Sequence, residues 1–129
     1  MEGISNLEEI LKNMTPTLND GEYVFVSVQN LDKIPMNDSI CHFKEKEGVT
    51  IIIEKSKAEK LELKYDYTAA WITLNVHSSL NAVGLTAVFS QKLANHGLSC
   101  NVVAGFYHDH IFVESHDAEK AIEVLKGIS

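Results

Sequence analysis

The residues best suited to chemistry lie close together towards the C-terminal end. In "VAGFYHDHIFV" (103–113), His108 and His110 flank Asp109 inside an apolar, aromatic run. On a continuous strand both imidazoles would share one face, as in HxH metal pairs. A metal would need a third ligand, for which His77, Asp109 and His116 are the candidates. No further Cys or His stands at a recognised ligand spacing, so neither a metal nor another cofactor is expected. Three other roles stay open: a solvent-facing hairpin turn near Tyr107-His108-Asp109, a contact to a ligand or second subunit, and the acid–base groups of a small enzyme.

A second constellation is "HSSLNAVG" (77–84), a small-residue turn between a buried strand and a long helix. Ser78, Ser79 and Asn81 offer side-chain caps, and Gly84 permits close approach. Unpaired N–H groups at a helix start attract a carboxylate. All eleven cations are lysines, so no guanidinium clamp is available, and this turn is the best anion site on offer.

Cys100 falls on an expected buried strand, where a core thiol is the simpler reading than a nucleophile activated by His77. Cys41 has His42 and Lys44 nearby but no base-and-orienter set. The chain contains no nucleophile elbow, P-loop, GxGxxG or HExxH.

Bulk properties narrow the function classes. The 129 residues carry a net charge of −7 and are 45% hydrophobic and 22% charged, as in a folded globular protein. An acidic chain without arginine is poorly suited to nucleic acid. The two cysteines form no CxxC pair. There is no signal-peptide hydrophobic region and no apolar run of membrane-spanning length. The expectation is a cytoplasmic protein with free thiols and no membrane partner.

Hydrophobic periodicity assigns the elements that must position these residues. A helix is expected from Ser5 to Met14, broken by "TPTLNDG". Strands are expected at 22–28, either side of a turn at Lys46-Glu47-Gly48, at 68–76, and within "LSCNVVAGF" (98–106) and "HDHIFVE" (108–114). "SKAEKLEL" reads as a short helix and "QNLDKIPMND" (29–38) as a loop. The longest helix is expected over about 80–96, ending at Gly97, with Leu85, Val88, Phe89 and Leu93 as its apolar stripe. Gly84, Ala87, Gln91 and Ala94 form a flatter, small-residue face. "SHDAEKAIEVLKGI" closes the chain as a helix.

An internal repeat organises these elements. "IIIEKSKAEK" (51–60) and "IFVESHDAEK" (111–120) share five of ten residues at an offset of sixty. Upstream, "EYVFVSV" corresponds to "AWITLNV" at an offset of forty-eight. The missing twelve residues fall where the second copy carries its long helix. The chain therefore reads as α+β, two tandem ferredoxin-like (βαββαβ) units over 1–65 and 66–129. The first has an extra N-terminal helix and a truncated or missing first helix of its own.

This order, with "VHSSLNAVGLTAVFSQKLANHGLSCNVVAGFYHDHIFV" (76–113), resembles the ACT domain. It also resembles a family of small bacterial tandem ACT proteins of unassigned function, which "EGVTIIIE" and "MTPTLNDGEYVF" match as well. The resemblance implies a non-catalytic regulatory module that binds a small metabolite, most often an amino acid, and works as a homodimer or larger. "NAVGLTAVF" and "LSCNVV" are similar to the ligand-binding ACT unit of aspartokinases. That similarity implies a ligand site made of Asn81, Val83, Gly84, Leu85, Ser99, Cys100 and Asn101, to which the turn "HSSLNAVG" itself adds His77, Ser78 and Ser79. At Asn101 the aspartokinase pattern has an acid, and an amide cannot neutralise a ligand ammonium. The opposing functions are an acid–base or metal-dependent enzyme built on His108, Asp109 and His110, and a purely structural interaction module.

Overall fold

A computed structural model describes residues 7–75 and 83–128. Its elements run α1 (Leu7–Asn13), β1 (Pro16–Leu18), β2 (Tyr23–Val28), β3 (Ser39–Lys44), β4 (Val49–Glu54), α2 (Lys55–Lys60), β5 (Thr68–Leu74), α3 (Leu85–Asn95), β6 (Asn101–Ala104), β7 (Asp109–Glu114), a 3₁₀ turn (Ser115–Asp117) and α4 (Ala118–Lys126). They group into two compact units, residues 21–69 and residues 1–20 with 70–129.

In the unit over 21–69, β4 lies between β2 and β3 in an antiparallel sheet. Thr68 and Ala69 pair with Val24 and Tyr23 on the other side of β2. The β-branched runs of β2 and β4 place Val24, Val26, Ile51 and Ile53 on one face. There they bury almost completely against Ala58 of α2. The β3–β4 hairpin closes with Glu45 N–H donating to the Gly48 carbonyl at 2.9 Å, at the expected turn.

Residues 29–38 contain no helix, as the repeat offset implied. Two turns replace it, closed by Ile34 N–H to Leu31 O and Asp38 N–H to Pro35 O, each at 3.0 Å. The cause is local. Asn30 draws the Asp32 N–H to its own side chain, and Pro35 has no N–H for a helical ladder.

In the other unit β5 lies beside β7, and β6 flanks β7 as the outer strand. Ile72 and Leu74 of β5 and Ile111 and Val113 of β7 face Phe89 and Leu93 of α3 and Ala121 and Leu125 of α4. All eight are fully buried. Leu7 and Leu11 of α1 pack against this core. The expected stripe on α3 is therefore its buried face, with Val88 half-buried at its margin.

Three details differ from the sequence reading. "TPTLNDG" contains a short strand, β1, paired with β5 from Pro16↔Leu74 to Leu18↔Ile72. β6 is shorter than expected and mostly exposed rather than buried, because an outer strand has a neighbour on one side only. The closing helix begins as a 3₁₀ turn. Each unit sets its helices against an antiparallel sheet, which is the α+β, tandem ferredoxin-like arrangement.

Candidate functional site

Two groups of residues compete for a functional role, and both lie in the unit that contains α3. The first is the start of α3. His77, Ser78, Ser79 and Asn81 lie outside the described residues, as does 80–82 of the expected helix. Val83 and Gly84 are not helical, so within the described residues α3 begins at Leu85 rather than near residue 80. Gly84 is its N-cap, with φ +95°, a left-handed conformation that a residue with a Cβ adopts only under strain.

A glycine cap has no side-chain acceptor. The first-turn N–H groups of Leu85, Thr86 and Ala87 are thus left to other partners, whereas Val88 N–H already donates to the Gly84 carbonyl at 3.0 Å. Among the described residues, the first-turn N–H groups at the start of α3 are therefore those of 85–87. Leu7 of α1 forms an apolar wall beside them. A Cβ added at Gly84 would lie 3.1 Å from its Cδ2. Leu85 turns inward and is buried, whereas Val83 is 83% exposed.

The strand side of the expected site is more dispersed. Ser99 is exposed, and Cys100 is half-buried against the core. Burial pushes the Cys100 thiol up to about 11, and burial also raises Cys41, so neither is a thiolate nucleophile near neutral pH. Asn101 is exposed and is the register partner of Phe112, so the two side chains share a face of the sheet. Ile111 and Val113, which alternate with Phe112, face the helices. Asn101 Nδ2 makes only a long contact, 3.5 Å, to the Phe112 carbonyl.

The second group surrounds the opening histidines. The hairpin between β6 and β7 closes with Gly105 N–H donating to the His108 carbonyl at 2.9 Å. This puts His108 at the turn and His110 within β7, opposite Val103. Among the described residues no third ligating side chain joins these two histidines.

His110 enters a hydrogen-bond network instead. Trp71 Nε1–H donates to His110 Nδ1 at 3.0 Å, and the Thr73 hydroxyl lies 3.1 Å from the same nitrogen. Asn19 Nδ2 donates to Thr73 Oγ1 at 3.0 Å and to the Trp71 carbonyl at 3.2 Å. Indole N–H is only a donor, so His110 Nδ1 must be an acceptor and the ring proton sits on Nε2. A protonated imidazolium would turn a donor towards the indole. Burial lowers the His110 pKa, the nearby His108 lowers it further, and Asp109 opposes them. Asp109 itself is raised by burial, with His110 pulling the other way. His108 Nδ1 is buried with no hydrogen-bond partner among the described residues.

Trp71 and Thr73 were not legible as partners of His110, nor Asn19 as a partner of Thr73. No local motif joins residues 39 and 37 positions apart in sequence. Only the placement of β5 beside β7 brings them together. The one faint signal is alternation: Trp71 and Thr73 stand between Ala70, Ile72 and Leu74, which face the core.

A further cleft of about 240 Å³ lies in the unit over 21–69, where the helix is missing. Leu31, Ile34, Pro35, Met36, Ser39 and His42 line it, and sequence reasoning gave no sign of it.

The comparisons with known proteins agree with this geometry. ACT domain models match residues 2–70 and 67–127. A Vibrio cholerae protein of unknown function, described as a possible transport protein, is 44% identical. The alignment covers 95% of this chain and 94% of that one, with a TM-score of 0.85. An Agrobacterium tumefaciens protein shares the fold at 15% identity and TM-score 0.74, over 89% of this chain and 88% of that one. The regulatory subunit of aspartate kinase from Thermus thermophilus, in its ligand-free form, shares it at 10% identity and TM-score 0.60, over 88% and 95%. No curated protein matches the sequence.

Proposed function

The chain belongs to the ACT domain family and carries two ACT domains in tandem; from that premise we propose that it is a non-catalytic regulatory module that binds a small carboxylate metabolite, an amino acid first among the candidates. ACT domains are typically regulatory and ligand-binding. In this reading the units divide near residues 65 and 66, and the protein acts in the cytoplasm as a homodimer or larger assembly.

The observation that carries the proposal is the start of α3. A glycine in the left-handed conformation caps it, so the N–H groups of 85–87 have no capping side chain from that residue. Those groups and the helix dipole favour a carboxylate there. The apolar wall of Leu7 suits an aliphatic ligand portion. His77, Ser78, Ser79, Asn81, Val83, Ser99, Cys100 and Asn101 complete the proposed site. Asn101 supplies an amide that both donates and accepts, rather than a counter-charge for an ammonium.

An acid–base enzyme built on His110 draws less support. Its Nδ1 is engaged by Trp71 and Thr73, and its proton-bearing Nε2 faces Gly105.

Thermal-shift screening against the twenty amino acids and other small carboxylates tests the proposal. A ligand that binds only the folded state raises stability, by about 2.7 kcal/mol at a hundredfold excess over Kd. At least one compound should raise the melting temperature in a saturable way. No shift with any carboxylate would contradict the proposal.

A further inference from the structure

We infer that Glu114, His116 and Asp117 form a binding site for a zinc-like divalent cation at the junction of β7 and α4. The junction is a 3₁₀ turn, in which residues three apart project from one side. Glu114, which caps the turn, and Asp117, three residues on, therefore present their carboxylates together, with the His116 imidazole between them. His116 Nε2 lies 3.2 Å from Glu114 Oε2 and 3.6 Å from Asp117 Oδ1. One ligand atom from each residue falls within 4.8 Å of the other two.

The two separations from His116 match coordination geometry. Bonds of about 2.0–2.2 Å to a tetrahedral ion put neighbouring ligand atoms about 3.3–3.6 Å apart. The donor set fits the same ions. Imidazole nitrogen with two carboxylates suits zinc, cobalt or nickel better than calcium or magnesium, which favour oxygen alone. Three protein ligands leave a fourth position for water.

The internal repeat supplies an independent argument. At an offset of sixty, Glu54 corresponds to Glu114 and Lys57 to Asp117. In the first copy Lys57 Nζ lies 3.9 Å from Glu54 Oε2 and 3.6 Å from Asp38 Oδ1. A built-in ammonium thus sits between two carboxylates. In the second copy an aspartate takes the lysine's position. One carboxylate, Glu114, is kept, a second stands where the first copy has its ammonium, and His116 stands where the first copy has Ser56.

Metal titration of the full chain, free of any tag and stripped with chelator, tests this. Zn²⁺ is followed by calorimetry and Co²⁺ by its visible absorption. One ion per chain should bind, and His116→Ala and Asp117→Asn should each weaken binding by about 100-fold or more, since even outer partners of a metal ligand are worth 10–100-fold. His42→Ala should bind as the parent does. Circular dichroism should be unchanged in all three, because the His116 side chain is 73% exposed and packs into no core. No saturable binding at millimolar metal would overturn the site, as would full binding by either His116→Ala or Asp117→Asn.

Discussion

The indole N–H of Trp71 donates to Nδ1 of His110 at 3.0 Å. This single bond fixes the tautomer of His110 and favours its neutral form. The expected linkage with pH follows from the sign of the shift. The folded His110 pKa lies below its ordinary 6.5, so just below that pH the unfolded chain binds more protons. Stability from this group is present above pH 6.5 and falls as the solution is acidified through it. Asp109 works oppositely: its folded pKa lies above 3.8, so it returns stability as pH falls towards that value. Heteronuclear NMR should find His110 as the Nε2–H tautomer with a midpoint below 6.5. Trp71→Phe should move that midpoint upward. An Nδ1–H tautomer would contradict the network.

Gly105 is where the hairpin closes under the His110 ring. A Cβ there would lie 2.8 Å from the His108 carbonyl oxygen and 3.2 Å from His110 Nε2. The first of these is backbone and cannot swing aside. Gly105→Ala should therefore destabilise by about 1–3 kcal/mol, the usual cost of overpacking. Urea denaturation measures it. The His110 NMR signals should shift in the same variant.

The fold was legible because two kinds of signal agreed. The strands of 51–54 and 111–114 are short β-branched runs followed by helix starts, and the repeat tied them together. The missing helix at 29–38 followed from counting residues, and Pro35 and Asn30 explain it. β1 was not legible, since three residues beginning with proline carry no alternation. The buried character assigned to β6 was wrong because Val102, Val103 and Ala104 look like a core strand until their place at the sheet's edge is known. The start of α3 was misjudged because Ser, Asn and Gly suit a cap and a loop equally well. The His110 network was not legible, since it exists only through strand order.

Gly84 and Gly97 both have left-handed backbones, at φ +95° and +74°. Gly97 has nothing within 4 Å of an added Cβ, whereas Gly84 meets Leu7. Each substitution by Ala should cost about 1–2 kcal/mol of backbone strain. Gly84→Ala should cost somewhat more, and the excess should vanish in a Leu7→Ala background. A double-mutant cycle by chemical denaturation reads this directly. Gly84→Leu should also abolish ligand binding, measured at a temperature where the variant is still folded.

On the small-residue face of α3, Ala87, Gln91 and Ala94 are exposed. A flat face of this kind suits close packing against a second copy. Sedimentation at tens of micromolar should show a dimer or larger species. Ala87→Glu should shift it towards monomer without lowering the melting temperature of the monomer. A parent chain that is monomeric throughout would refute the assembly.

Backbone amide NMR during titration with the ligand found by thermal shift tests the functional reading most directly. The resonances of Leu85, Thr86 and Ala87 should move first and furthest, with Asn101 following, as a carboxylate settles on the start of α3. The Trp71 indole and His110 should move little. Shifts confined to Trp71, His108 and His110, with 85–87 unmoved, would place the functional site on the histidine hairpin and contradict the reading given for α3.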